Sequence, residues 1–214
     1  MDDNLTLNRG RIVKICNMII ESGLKAYFYT RGGIFIKTLD RELLTLMRRA
    51  GFIMVSLAVE SGSDYVRNII MGKNISREQI VNSFKMCHEV GMNTNAGFIV
   101  GMLEDTEKTI RETVDLLQDI EADRIFISVA KPLSGTRLFE QCVRDNLLIG
   151  GFDVDTLWTG EAELYNDEKK ELYIRRLLSH SARKFYIKPY NLALERLIEI
   201  DIKFQQIAYE KSKA

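Results

Sequence analysis

The chain has 214 residues, 46% of them hydrophobic, and its 30 Lys and Arg residues balance its 30 Asp and Glu residues. This length suits one domain, and the absence of net charge gives the chain no electrostatic reason to bind nucleic acid or a membrane surface. Three widely spaced cysteines, short apolar runs and no signal-like segment predict a cytoplasmic protein without disulfides, membrane spans or a leader.

Helical and strand patterns alternate along the first two thirds of the sequence. Apolar residues at helical spacing predict helices over 8–22, 40–50, 63–72, 76–91, 107–120 and about 138–142. Short apolar runs predict strands over 25–30, 53–59, 92–100 and 124–130. The predicted N-cap residues are Asp40, Ser76, and either Asp105 or Thr106. This alternation indicates right-handed βαβ units, a parallel sheet and an α/β fold.

The alternation of strands and helices stops near residue 150. Beyond it, two helices are predicted, over 167–182 and 192–209. We therefore divide the chain into a βα domain over 1–150 and a C-terminal helical extension over 151–214.

Two glycines bracket the predicted strand at the centre of the chain, and an acidic turn follows them. Gly97 and Gly101 would let a flat ligand or another backbone approach where a side chain would clash. The turn between a strand and a helix is also where α/β folds place ligands. Alternatively, the glycines serve only to pack a helix closely on the strand. The residues alone leave both interpretations open.

Polar side chains follow the predicted strands at their carboxyl ends: Arg31, Glu60, Ser61, Glu104, Asp105 and Lys131. In a parallel barrel these positions converge on one mouth, so one ligand could contact all of them. No Ser–His pair, histidine cluster or Cys-x-x-Cys motif predicts a catalytic residue or a metal ligand. We interpret His88, His180 and the three cysteines as structural residues.

Four motifs in order carry a resemblance to a known family. They are Ala58–Asp64, Met71–Lys73, Phe98–Thr106 and Lys131–Thr136. Together they resemble radical S-adenosylmethionine enzymes, in particular the cobalamin-dependent type of Fe-S oxidoreductase that includes anaerobic magnesium-protoporphyrin ester cyclases and methylases. The opening Asp2-Asp3 segment and the Phe185–Pro189 stretch are also similar to that branch.

The resemblance implies a partial (β/α)6 TIM-like barrel that binds S-adenosylmethionine across the strand ends, beside a [4Fe–4S] cluster. The cofactor site it implies consists of Asp2, Asp3, Glu60, Ser61, Gly97, Ile99, Gly101 and Lys131. Glu60 would accept hydrogen bonds from the ribose hydroxyls, and Ile99 would lie against the adenine. Asp2 and Asp3 would lie near the methionine amino group, with Lys131 near the mouth. The parent enzyme would act on a small-molecule substrate, with cobalamin as a further candidate cofactor.

The chain departs from the family pattern at one decisive point. The cluster motif Cys-x-x-x-Cys-x-x-Cys is absent, so the chain holds no predicted metal ligand. We therefore expect a fragment that lacks the first two barrel strands and is inactive alone. A degenerate barrel that serves as a binding module, and a βα-barrel enzyme with a phosphate substrate, are the alternatives. The edge of the strand over 25–30, rich in tyrosine and phenylalanine, predicts self-association.

Overall fold

Four parallel strands form an open sheet in the computed structural model, which describes residues 4–149 and 185–212. In sheet order the strands are β1 (Phe28–Tyr29), β2 (Phe52–Glu60), β3 (Asn93–Val100) and β4 (Arg124–Val129). The helices are α1 (Arg9–Glu21), α2 (Arg41–Arg49), α3 (Arg77–Glu89), α4 (Glu107–Asp119), α5 (Arg137–Arg144) and α6 (Leu194–Lys211). The described residues also form a 3₁₀ turn (Ile36–Thr38) and a π-helical turn (Tyr65–Ile70). The predicted α/β alternation is confirmed.

The helices begin at residues whose side chains satisfy free backbone N–H groups. Asp40 accepts a hydrogen bond from the Leu43 N–H at 2.8 Å, and Ser76 forms the predicted capping box at the start of α3. Thr106 caps α4 with a capping box of its own. Of the two candidates there, Thr106 is therefore the cap, and Asp105 is left for another role.

The sheet has one closed face and one open face. The closed face packs on helices, where Phe98 of β3 meets Phe204 of α6 edge to face with ring centroids 5.8 Å apart. On the open face, the strand register places Ala58, Gly97 and Phe126 in one row. The Phe126 side chain is 44% exposed. The described residues thus leave small side chains on β2 and β3 of this face, beside the partly exposed Phe126 ring of β4.

The first strand is shorter than the prediction of 25–30. Its hydrogen bonding to β2 is interrupted because the Thr30 hydroxyl accepts the Ser56 N–H at 2.9 Å, and the Ser56 hydroxyl donates to the Thr30 carbonyl at 2.8 Å. The backbone resumes pairing only at a single bridge between Ile34 and Leu57. A side-chain contact has replaced part of the strand pairing that the apolar pattern predicted.

We expect the β1 edge to mediate self-association, which stays a prediction. Tyr27 is 82% exposed and Tyr29 is 61% exposed, and in the described part of the chain β1 pairs only with β2. Sedimentation across a concentration series should show a monomer converting towards a dimer, and replacing both tyrosines with aspartate should abolish the conversion. Tyr65→Asp, at a 52% exposed tyrosine away from this edge, is the control. A monomer at every concentration would contradict the prediction.

The segment before α6 returns to the carboxyl ends of β3 and β4. Leu148 pairs with Ile187 in an antiparallel bridge, and the Tyr190 N–H donates to the Leu103 carbonyl at 2.8 Å. The helix predicted over 167–182 lies outside the described residues, and so does His180. Within 4–149 and 185–212, no helix has the length and apolar character needed to cross a membrane.

Candidate functional site

Glu60 ends β2 in a backbone conformation that is rare for its residue type. Its φ is +67°, and a bulge in the pairing with β3 lies between Ala58 and Glu60. The Lys73 ammonium donates to the Glu60 carboxylate at 2.7 Å, and the two side chains are 27% and 16% exposed. The left-handed backbone costs about 1 kcal/mol in a non-glycine residue, so surrounding contacts must hold it. Glu60 is therefore a partly exposed acid at the carboxyl end of β2, with a cation beside it.

The loop after Glu60 packs directly on α4. Ser61 is buried, and its hydroxyl lies 3.2 Å from the Thr113 hydroxyl and accepts the Ser63 N–H at 3.2 Å. The Gly62 N–H donates to the Thr113 hydroxyl at 2.9 Å. Ser61 was predicted to bind a cofactor. The geometry gives its hydroxyl a bracing contact with α4, and direct cofactor binding stays a prediction.

Gly97 lies within β3 and Gly101 directly follows it, and the structural reasons for glycine differ at the two positions. A Cβ placed on Gly97 would meet its nearest neighbour, the Leu57 carbonyl oxygen, at an ordinary 3.6 Å. Packing therefore does not require glycine there, and its absent side chain leaves the open face bare beside half-buried Ile99. Gly101 has a φ of +87°, and a Cβ there would approach the Phe185 ring at 3.2 Å. Turn geometry and close packing both require that glycine.

Asp105 holds the turn that leaves β3. Its buried carboxylate accepts the N–H groups of Gly101 at 2.8 Å and Met102 at 3.0 Å, and the Thr109 hydroxyl at 3.3 Å. Burial raises the pKa of Asp105 to about 6, against the effect of these hydrogen bonds, and neighbouring Glu104 also raises it. Asp105 is thus a structural acid that faces the turn.

The remaining predicted residues lie around the same edge or outside the described residues. Lys131 lies two residues after the end of β4, is half-buried, and accepts the Leu133 N–H at its carbonyl at 3.0 Å. Arg31 is exposed in the loop after β1. Glu104 has one carboxylate oxygen that is buried without a hydrogen-bond partner in the described part of the chain. Asp2 and Asp3 lie outside the described residues.

Two buried residues of this site were missed by the sequence analysis. Thr113 braces the loop after Glu60, and fully buried Arg67 bonds to that loop and to the turn near Lys73. Thr109 and Thr113 stand four residues apart on the inner face of α4, a polar spacing that the sequence does show. Nothing in the local pattern marks Arg67, because arginine is usually a surface residue.

The cysteines do not form a metal centre. All three are fully buried thiols, and burial raises the pKa of Cys16, of Cys87 to about 12, and of Cys142 to about 11. An iron–sulfur cluster requires thiolates close together, so these residues do not fit one. Among residues 4–149 and 185–212, no group of three or more His, Cys, Asp or Glu side chains could hold a metal ion.

The described residues do fit a nucleoside-like ligand. Glu60 offers a partly exposed hydrogen-bond acceptor, and Gly97 and Ile99 offer a bare, partly apolar surface on the next strand. Together with the parallel sheet, this arrangement is typical of βα-barrel proteins, in which ligands lie across the strand ends. The chain belongs to the radical SAM superfamily, whose sequence profile matches residues 5–117, just over half of the chain. Members of this superfamily use S-adenosylmethionine and a [4Fe–4S] cluster.

Named relatives include methyltransferases and a cyclase. An uncharacterized methyltransferase of Pyrococcus horikoshii is 27% identical over 149 residues, covering 70% of this chain and 32% of the relative. Cytidylyl-2-hydroxyethylphosphonate methyltransferase of Streptomyces wedmorensis is 25% identical over 203 residues, and the match covers 86% of this chain and 38% of the relative. The anaerobic magnesium-protoporphyrin IX monomethyl ester cyclase of Rubrivivax gelatinosus is 26% identical over 140 residues, and the match covers 65% of this chain and 25% of the relative. The chain thus spans well under half the length of these relatives.

Solved structures share the fold. The radical S-adenosylmethionine methyltransferase TsrM of Kitasatospora setae, with tryptophan and an S-adenosylmethionine analogue bound, matches 67% of this chain and 29% of its own. Its TM-score is 0.56 at 19% identity. Coproporphyrinogen III oxidase of Escherichia coli matches 84% of this chain and 44% of its own, with a TM-score of 0.53 at 16% identity. The predicted family and the predicted partial TIM-like barrel are confirmed.

Proposed function

We propose that this chain supplies the ribose- and adenine-binding half of the S-adenosylmethionine site of a radical enzyme that transfers a methyl group or closes a ring. One observation carries the proposal. Glu60 is held at the end of β2, and the neighbouring strand β3 offers a surface without a side chain at Gly97. The names of the methyltransferase and cyclase relatives support the two reaction types.

Each residue of this half-site has a distinct task in the proposal. Glu60 accepts hydrogen bonds from the ribose hydroxyls, and the hydrogen bond from Lys73 orients that carboxylate. Ile99 and Gly97 form the surface against which the adenine ring lies. The Gly101 turn, held by Asp105, ends that surface. Lys131 near the mouth, and Asp2 and Asp3 near the methionine amino group, belong to the same proposal.

When bound beside a reduced cluster, S-adenosylmethionine would supply a 5′-deoxyadenosyl radical, and this chain's residues would bind and orient its nucleoside part. The buried cysteines do not fit a cluster, so we assign them no part in reductive cleavage. Cluster ligands, a cobalamin site and the small-molecule substrate site of the whole enzyme would come from other residues.

Calorimetric titration with S-adenosylmethionine tests the proposal. We expect measurable binding by the chain and a roughly tenfold or greater loss in Glu60→Gln. The ribose hydroxyls would then donate to a neutral amide instead of a carboxylate, and a hydrogen bond to a charged group is worth about 1.5–3 kcal/mol. Asp115→Asn, at an exposed carboxylate of α4, should leave the affinity unchanged. If the folded chain does not bind, or if Glu60→Gln binds equally well, the proposal is wrong. Binding independent of Glu60 would favour a binding module instead.

A further inference from the structure

Arg67 is a fully buried arginine that bridges two segments beside the candidate site. It lies in the π-helical turn, and its side chain has no solvent exposure. The guanidinium donates from Nη1 to the carbonyls of Ser61 at 2.9 Å and Gly62 at 3.2 Å. From Nε it donates to the Ile75 carbonyl at 2.9 Å. From Nη2 it pairs with the Asp64 carboxylate.

Burial of this charge needs a reason beyond filling space. Removing a guanidinium from water costs several kcal/mol unless it is paired and fully hydrogen-bonded, and an apolar residue of similar volume would fill the space without that cost. Asp64, its carboxylate partner among the described residues, is itself 76% exposed. The other acceptors are main-chain carbonyls of two separate segments. The planar fork of donors is therefore used to fix the position of one backbone segment relative to the other.

Those two segments carry the charged pair of the site. Glu60 directly precedes the Ser61 carbonyl, and its φ of +67° has to be held by neighbouring contacts. On the other side, the Lys73 N–H donates to the Arg67 carbonyl at 3.0 Å. Asn68 holds the same turn by two hydrogen bonds to the Ile75 backbone, at 2.8 and 3.0 Å. The 2.7 Å contact between Lys73 and Glu60 thus joins the same two segments that Arg67 bridges.

We propose that Arg67 is a positioning residue that sets the separation of Glu60 and Lys73, and through it the affinity of the cleft for the adenosyl group. The second half of this inference rests on the proposed function, whereas the first half concerns the ligand-free chain alone. Two experiments therefore test the halves separately.

The first experiment measures the reactivity of Lys73 without any ligand. Lysines are acylated briefly with an amine-reactive ester, and labelling is quantified by mass spectrometry relative to Lys108, whose side chain is 86% exposed. Lys73 should be protected in the wild type and labelled several-fold faster in Glu60→Gln. Arg67→Met should raise Lys73 labelling to the level of Glu60→Gln. Unchanged Lys73 labelling in folded Arg67→Met would overturn the inference.

A second variant keeps this experiment decisive if Arg67→Met does not fold. Asn68→Ala loses the hydrogen bonds that hold the turn after Lys73 but leaves the buried guanidinium with its own partners. It should also accelerate Lys73 labelling because, of these side-chain hydrogen bonds to Ile75, only the one from Arg67 then remains. Wild-type labelling of Lys73 in Asn68→Ala would contradict the proposed scaffold.

The second experiment is a double-mutant cycle on S-adenosylmethionine affinity. Arg67→Lys keeps the charge, but one ammonium cannot reach both segments as the fork does, so we expect about a tenfold loss of affinity. If Arg67 acts through Glu60, adding Arg67→Lys to Glu60→Gln should cost no further affinity. Fully additive losses would indicate a general structural role and overturn the second half. If the wild type does not bind, the proposed function fails, and Lys73 labelling still decides the first half.

Discussion

Replacing Gly62 with alanine is expected to lower the free energy of unfolding by about 3–5 kcal/mol, a large part of the stability of one domain. A Cβ at this position would lie 2.3 Å from the Glu112 carbonyl oxygen and 2.4 Å from the Thr113 Cα. Both atoms belong to the α4 backbone, which cannot move aside as a flexible side chain can. The loop would have to leave the helix, and the hydrogen bond from the Gly62 N–H to the Thr113 hydroxyl would break.

Gly97→Ala is the matched control for this prediction. Its Cβ would find ordinary contact distances, so we expect stability within about 1 kcal/mol of the wild type. The same methyl group would stand on the surface proposed for the adenine and should weaken S-adenosylmethionine binding. Urea denaturation and calorimetry of both variants should therefore separate a glycine required by packing from one required by the ligand. Equal stability of Gly62→Ala and wild type would show that the loop does not pack on α4 as described.

Local sequence signals were sufficient to place most of the elements. Asp40 and Ser76 begin helices where predicted, because N-cap chemistry depends on residues within one turn of the cap. The apolar run predicted over 53–59 is β2, which extends one residue further at each end. The position of Glu60 at the carboxyl end of β2 followed from the parallel alternation.

Contacts between residues distant in sequence account for what the patterns could not show. The prediction for β1 was too long because Thr30 bonds to Ser56, which stands 26 residues away. The bracing of the loop after Glu60 by Thr113 joins residues more than fifty positions apart. The resemblance predicted the family, but it did not indicate that Ser61 would turn its hydroxyl towards α4. Such pairings depend on the assembled sheet and helices.

Stability should depend on pH through Asp105. Burial raises the pKa of its carboxyl from the ordinary 3.8 to about 6 in the folded chain, so between these pH values the folded state binds more protons than the unfolded state. The stabilising contribution is complete below pH 3.8 and is lost as the pH rises through about 6. The difference between the two pKa values corresponds to about 3 kcal/mol.

The substitution Asp105→Asn should remove this dependence of stability on pH. Its carbonyl oxygen can still accept the N–H groups of Gly101 and Met102, which now share one carboxylate oxygen. We therefore expect Asp105→Asn to match the wild type near pH 4 and to be more stable by up to about 3 kcal/mol near pH 7.5. Urea unfolding at several pH values measures this, with Asp115→Asn as the exposed-carboxylate control. If the free energies of unfolding of Asp105→Asn and wild type differ by the same amount at every pH, the raised pKa of Asp105 is contradicted. If they differ near pH 7.5 and become equal near pH 4, the ionised carboxylate holds the turn after β3 at a cost in stability.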